Sequence, residues 1–456
     1  MHLWKIKVNF RECNFLQFML TFSFIIQILI VLSALYVGSR YGTLALGAIS
    51  GIGLAILVFG FGLTPGNPPT DVIYIILAAV TCAGMLQASG GMDWMVQIAE
   101  KMLRRHPAQI TFLAPLFTFF LTVLVGTGHV VYTLMPIIVD ISIKNGIRPE
   151  RPCAVASVAS QMGITCSPIA AAVISFSMIS STCGFEVSIP QIVSVTLPAC
   201  IVGVLAAALY SRKRGLDLDK DPEFQKRISD PLQREYVYGR SSSVLESEIS
   251  TQSKMSVWIF LAAILTIVIV AGCGYKTVKI NLVIQIVMLV ASALMIILCG
   301  TSPAKAVAGK VWQSGMVAVV AIFGIAWMSD TLFANYMDVI KETLGSFVSA
   351  YPWTIALVFF IVSVLINSQG ATIVAMLPMA YSLGVPGYVL LGVLPSVYGY
   401  FFIPAYPSDV ATVNFDRTGT TKIGKYLLNH SFMIPGLISV TVSTAVSLIL
   451  STLIYG

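Results

Sequence analysis

Residues 365–378 read LINSQGATIVAMLP, so Asn367, Ser368, Gln369 and Gly370 stand together between apolar runs. Amide and hydroxyl side chains are costly at bilayer depth, and a glycine among them weakens any helix passing through. A second such stretch, GTGHVVYTLMP at 126–136, carries Gly126, Thr127 and Gly128. It aligns without gaps to SQGATIVAMLP at 368–378, pairing Gly128 with Gly370 and Pro136 with Pro378; Ala114 and Phe117 pair with Ala356 and Phe359 in the same register. Two more polar interruptions follow, SQMGITCSPIAAA at 160–172 and FIPAYPSDVAT at 402–412. Pro168, Pro404 and Pro407 remove backbone donors and break the helices they occupy.

Broken helices expose N-termini with free N–H groups and a partial positive charge, a setting that suits a small anion and carboxylates in particular. None of the four segments contains Lys or Arg. An anion there must be held by backbone, by the hydroxyls of Thr127, Thr165, Ser167, Ser368, Thr372 and Ser408, and by the amides of Asn367 and Gln369. A bound cation is the remaining source of positive charge, and the residues do not name a metal. Asp409 is the one carboxylate in these segments. At that depth a carboxylate is costly unless it carries a proton or a cation, which marks Asp409 for ion coupling. His129 reads as a polar packing residue and Tyr406 as an interfacial anchor.

The elements that must position these residues are membrane helices. The chain is 57% hydrophobic and only 10% charged, against about 25% charged in soluble proteins. Apolar runs of roughly 20 residues, the length of one span, fall at 17–37, 43–63, 72–90, 154–181, 191–210, 256–273, 280–299, 311–329, 388–413 and 431–454. Runs 110–143 and 353–384 are too long for one helix, and glycine interrupts each. Residues 1–16 form a basic N-terminal extension. The apolar run after it is longer than a signal peptide's roughly 7–15-residue core, so it is expected to stay as the first span, with Met19 an alternative start. The eight cysteines include no C-x-x-C pair and read as reduced, buried residues. The net charge of +7 is spread over short loops, which speaks for topology and against a nucleic-acid partner.

The positive-inside rule places the polar segment 211–255 in the cytoplasm. Loop 144–153 (Lys144, Arg148, Arg151) and the RRH before 110 then fall inside, so run 110–143 enters and leaves from the cytoplasm. Loops 300–310 and 414–430 fall inside and loop 330–352 outside, so run 353–384 enters and leaves from the outer face. The expected fold is an all-α polytopic membrane protein of two inverted repeats of about five spans, each with a re-entrant hairpin and a broken helix. The first repeat covers 17–210, with its hairpin at 110–143. A cytoplasmic linker covers 211–255. The second repeat covers 256–456, with its hairpin at 353–384. Inverted repeats with discontinuous helices are a signature of secondary transporters.

RRHPAQITFLAP, GTGHVVYTLMPII, NGIRPERP, SQMGITCSPIAAAVI, LDLDKDPEFQKRISDP, NSQGA and IPAYPSDVATVNFDRTGTTKIGKYLLNHSFMIPG resemble the anaerobic C4-dicarboxylate transporters of the Dcu family. The likeness runs from about residue 24 to the C-terminus and is closest to the fumarate–succinate antiporter branch. The resemblance implies a multi-pass carrier of the cell inner membrane for fumarate, succinate, malate and aspartate in anaerobic metabolism, working by alternating access without a cofactor. It also implies the lipid bilayer, a homo-oligomer and a membrane sensor kinase as partners. A proton- or sodium-coupled symporter is the alternative. An intramembrane enzyme ranks lower, because no G-x-S-x-G or H-E-x-x-H motif is present, and a primary pump lower still, because there is no P-loop.

Overall fold

The computed structural model describes residues 23–38, 41, 43–68, 70–239, 248–272, 280–404, 406–424 and 429–456. The expected N-terminal extension 1–16 and Met19 lie outside them. The chain is helical throughout, with one isolated bridge between Ile423 and His430 among the described residues. The first half comprises α1 (Ser23–Gly38), α2 (Thr43–Ala55, prolonged by a π turn Ile56–Gly60), α3 (Thr70–Ala88), α4 (Gly91–Arg105), α5 (Ile110–Val125), α6 (Val131–Lys144), α7 (Glu150–Met162), α8 (Ala171–Thr182) and α9 (Ile189–Ser211). Two short helices, α10 (Pro222–Ile228) and α11 (Pro231–Tyr238), follow in the polar segment. Asp221 and Asp230 cap them, each just ahead of a proline at the first helical position. The second half comprises α12 (Thr251–Gly272), α13 (Ile280–Cys299), α14 (Pro303–Ala308), α15 (Lys310–Ala350), α16 (Ile355–Ile366), α17 (Gln369–Ser382), α18 (Gly387–Gly392), α19 (Pro407–Phe415) and α20 (Met433–Tyr455). Among the described residues seven helices are long and apolar enough to cross a membrane, or eight if the pair bent by 67° at Gly90 counts as one span.

Helices in lipid associate by close packing rather than by hydrophobic burial, so small residues mark their seams. α9 buries Thr196, Cys200, Gly203 and Ala207 at helical spacing, and α20 buries Ser439, Ser443 and Ser447. A Cβ on Gly203 would collide with Ser443 Oγ and lie 2.5 Å from Ser439 O. Gly324 of α15 meets the backbone of Gly47 in α2 just as closely. Gly203→Leu is therefore expected to lower the thermal stability of the purified protein by roughly 1–3 kcal/mol through overpacking. Gly51→Leu, where a Cβ meets nothing within 4 Å, should leave the melting temperature unchanged.

Two expected boundaries are corrected. The outer loop placed at 330–352 is helix up to Ala350. At about 1.5 Å per residue α15 extends some 60 Å, about twice the hydrocarbon thickness. Loop 62–68 binds along the start of its polar stretch, between Trp327 and Asn335. Gly66 N–H donates to Thr331 Oγ1 (3.0 Å), Trp327 Nε1–H to Gly66 O (2.8 Å) and Asn335 Nδ2–H to Thr64 O (2.9 Å). The run 388–413 holds no long helix. It is α18, a 3-10 turn Leu394–Val397, an irregular stretch and α19, because Pro395, Pro404 and Pro407 remove donors along it. Gly399 N–H is satisfied instead by Ser363 Oγ at 2.7 Å.

The start of the polar segment, the loop before α7 and the loop after α19 share one face of the molecule. Arg148 pairs with Asp221 (2.5 Å) and Glu150 (2.8 Å), Arg151 with Asp217 (2.7 Å), and Arg214 with Glu150 (3.1 Å). Arg214 also donates to Ser431 O at 2.6 Å, and Arg227 to Thr418 O at 2.9 Å.

Candidate functional site

Each of the two long apolar runs breaks where the sequence puts glycine and polar residues. α5 ends at Gly126, whose φ of +80° lies in the left-handed region; its N–H donates to Thr122 O at 2.8 Å. Thr127 is extended, and its Oγ1 accepts the His129 N–H at 3.4 Å. α16 ends at Asn367, the one non-glycine with positive φ among the described residues (φ +55°). Ser368 is extended, and its Oγ accepts the Ala371 N–H at 3.4 Å. The two breaks thus use the same device, a left-handed residue followed by an extended hydroxyl N-cap.

The device pairs Gly126 with Asn367 and Thr127 with Ser368, one place out of step with the ungapped alignment. The 3-10 turn Gly128–Val130 at the head of α6 absorbs the difference. Three 3-10 residues at about 2.0 Å rise cover the same ~6 Å as four α-helical residues at about 1.5 Å. Pro136 and Pro378 therefore stand equally far from their tips.

Both breaks line one cavity of about 300 Å³, at the lower end of the roughly 300–1,000 Å³ range of small-molecule sites. Gly126, Thr127 and Gly128 come from one side, and Asn367, Ser368, Gln369 and Gly370 from the other. α3 and α15 supply an apolar wall that includes Ala79, Val80, Gly315 and Ala318. Among the described residues lining it there is no Lys, Arg, Asp or Glu. No cluster of His, Cys, Asp and Glu able to hold a metal occurs among the described residues.

The other sequence-selected residues stand behind this wall. Thr165 is fully buried and donates to Met162 O at 2.9 Å. Ser167 Oγ accepts the Ile169 N–H at 3.4 Å. Thr372 donates back to Ser368 O at 2.7 Å, bracing the second tip. Ser408 and Asp409 are buried in the first turn of α19. Asp409 Oδ1 accepts from Ser157 Oγ at 2.7 Å. The cavity wall reaches α19 only at Tyr406 and Pro407, so Tyr406, expected at an interface, faces the site instead. Its ring lies 4.5 Å from that of Tyr400. His129 also lines the cavity, stacked on Tyr132 at 5.5 Å.

Sequence reasoning missed Gln161 and Tyr400, which join these parts. Tyr400 O–H donates to Gln161 Oε1 at 2.7 Å, and Gln369 Nε2 donates to Gln161 O (2.8 Å) and to Tyr400 Oη (3.3 Å). Gln161 Nε2 in turn donates to Ser160 Oγ (3.2 Å) and Ser408 Oγ (3.4 Å). The end of α7, the second tip, the irregular stretch and α19 are thereby tied into one network. A Cβ on Gly128 would run into the Gln161 amide, so glycine at 128 lets the first tip rest against it. In SQMGITCSP Gln161 is an amide inside an apolar run, which marks a polar group at depth without naming its distant partners.

A family model described as "Anaerobic c4-dicarboxylate membrane transporter" matches residues 23–455. An Escherichia coli O6:H1 protein called "Anaerobic C4-dicarboxylate transporter DcuB" is 46% identical over 430 residues, covering 92% of this chain and 96% of that protein. The "C4-dicarboxylate transporter DcuA" of Wolinella succinogenes is 34% identical, covering 94% of this chain and 99% of the other. In fold the chain is similar to Neisseria gonorrhoeae MtrF, described as illuminating a class of antimetabolite efflux pumps. The TM-score is 0.55 at 12% identity, over 89% of this chain and 94% of that one. The match over nearly its whole length, together with its several membrane-crossing helices, makes this chain a member of the anaerobic C4-dicarboxylate membrane transporter family and a multi-pass membrane protein.

Proposed function

We propose that the chain exchanges C4-dicarboxylates such as fumarate, succinate, malate and aspartate by antiport across the inner membrane, holding one substrate between the two tips. The observation that carries this reading is the cavity lined by both tips, with no Lys or Arg among the described residues that line it. Each tip begins a helix, at Gly128 and at Gln369, and a helix N-terminus stabilises a carboxylate through free N–H groups and its dipole. Two N-termini facing one small space suit a ligand with a carboxylate at each end. Alternating access follows if the tips belong to two inverted repeats and the helices around them rock against α3 and α15.

Counterflow tests the reading. Proteoliposomes loaded with unlabelled fumarate should accumulate labelled succinate, and empty ones should not. Equal uptake into both would overturn antiport.

The inverted arrangement places both ends of the first hairpin on the cytoplasmic side. His106→Cys and Asn145→Cys, both exposed positions, should each react with an impermeant thiol reagent only from that side. Labelling of either from outside would sink the arrangement. Coupled symport is the second reading, favoured by one observation: Asp409 follows Ser408, which shares the Gln161 network with the cavity.

A further inference from the structure

α4 turns away from α3 at Gly90 (φ +78°), where the chain bends by 67°. α3 has 19 residues, which at about 1.5 Å each span about 28 Å, close to the roughly 30 Å of hydrocarbon. α4 therefore begins where the hydrocarbon ends, and the bend lays it along the membrane surface. Its far end is held among the polar loops. Arg104 pairs with Asp140 at 3.3 Å, and Asp140 also pairs with Lys144 (3.1 Å) and with Arg417 of the loop after α19 (3.8 Å). This is the face that loop charge places in the cytoplasm.

One side of α4 packs inward through Met92, Met95, Val96, Ala99 and Leu103. The outward side has an order of its own. Half-buried Trp94 and exposed Ile98 and Met102 follow at i, i+4 and i+8 and form an apolar ridge. Lys101 and Arg105, both exposed, run beside the ridge at i and i+4. Arg104 pairs with Glu100 at 2.8 Å, whereas Lys101 and Arg105 have no acidic partner among the described residues. The exposed acid of the helix, Asp93, sits about two turns away at the other end. The start of α12 meets the bend, where Ser253 Oγ donates to Ser89 O at 2.6 Å, and it carries exposed Lys254 and Trp258. A helix lying flat, with tryptophan and aliphatic side chains on one flank and unpaired cations beside them, fits a headgroup layer. The ridge enters the acyl boundary, and the cations meet phosphate. We propose that the outward flank of α4 is a binding surface for anionic phospholipid, with Lys101 and Arg105 as its headgroup contacts. Because α4 leads into α5, the first arm of the first hairpin, a leaflet that holds α4 also steadies the base of that hairpin.

Tryptophan quenching tests this on the full chain in vesicles of equal parts phosphatidylglycerol and phosphatidylcholine, with brominated chains on one lipid or the other. The Trp94 signal is the difference between the unaltered protein and Trp94→Phe. It should be quenched more by brominated phosphatidylglycerol than by brominated phosphatidylcholine, and raised salt should erode that preference. Lys101→Gln with Arg105→Gln should lower the preference by roughly 5-fold for each charge removed. Lys101→Arg with Arg105→Lys keeps both charges and should keep it. If the glutamine pair does not reconstitute, the salt series on the unaltered protein decides. Equal quenching by the two lipids, or a preference that survives loss of both charges, would overturn the proposal. So would a Trp94 signal that neither lipid quenches, since something other than lipid would then cover the flank. None of these readouts depends on the transported ligand.

Discussion

Asn367→Gly is expected to bind succinate roughly 5- to 150-fold more weakly than the unaltered protein while melting at the same temperature or higher. The two halves of this expectation have separate causes. Asn367 sits at φ +55°, a region that costs an ordinary L-residue about 1–2 kcal/mol and glycine nothing. Glycine therefore preserves the tip, and Gly126 already plays that part at the other tip with φ +80°. What glycine removes is the amide side chain of a residue that lines the cavity. Losing a donor and an acceptor from a desolvated site costs about 1–3 kcal/mol, and each 1.4 kcal/mol is tenfold. Asn367→Ala would lose the amide and strain the backbone together, so it cannot separate the two. Affinity in Asn367→Gly equal to that of the unaltered protein would leave Asn367 a purely conformational role and would remove the second tip from the binding site.

The same residue illustrates what a sequence makes legible. NSQG between apolar runs announced a break because amides and glycine are costly inside a lipid-facing helix, and the helix ends at that place. GTGH gave the matching break for the same reason. The expectation that the tips meet rested on topology inferred from loop charges; what the structure shows is one cavity lined by residues of both breaks. The one-residue slip between the tips was hidden, since a 3-10 turn leaves no compositional mark. Gln161 and Tyr400 were hidden for another reason. Their importance comes from partners 208 and 239 residues away along the chain, and no local pattern reports a contact at that separation. Tyr406 was misplaced because Tyr is as much at home at a membrane interface as in a polar cavity; only packing against Tyr400 decides. The helical continuation of α15 past residue 329 was missed because its polar residues read as loop, whereas loop 62–68 satisfies several of them in place.

Asp409→Asn is expected to keep dicarboxylate–dicarboxylate exchange and to lose uptake driven by a proton or Na⁺ gradient. Asp409 is buried in the first turn of α19, behind the wall formed by Tyr406 and Pro407. The position near a helix N-terminus favours its negative charge by about 0.3–1 kcal/mol, and Ser157 donates to it. Against this stands its depth and, on the proposed reading, the repulsion between its charge and a dianion held in the cavity beyond Tyr406 and Pro407. On the coupled-symport reading, a proton or a sodium ion on Asp409 removes the repulsion, so that cation and substrate bind together and leave together. Asparagine is neutral at all times and nearly isosteric, and its Oδ1 still accepts from Ser157. On that reading it mimics the cation-loaded form, in which exchange should proceed and the gradient should have nothing to act on. If Asp409 only fixed the backbone, Ser157→Ala would disturb it as much as Asp409→Asn, and exchange would fall with gradient-driven uptake in both variants. Measuring the two modes in one preparation of proteoliposomes distinguishes the cases. Gradient-driven uptake that persists unchanged in Asp409→Asn would end the coupling role.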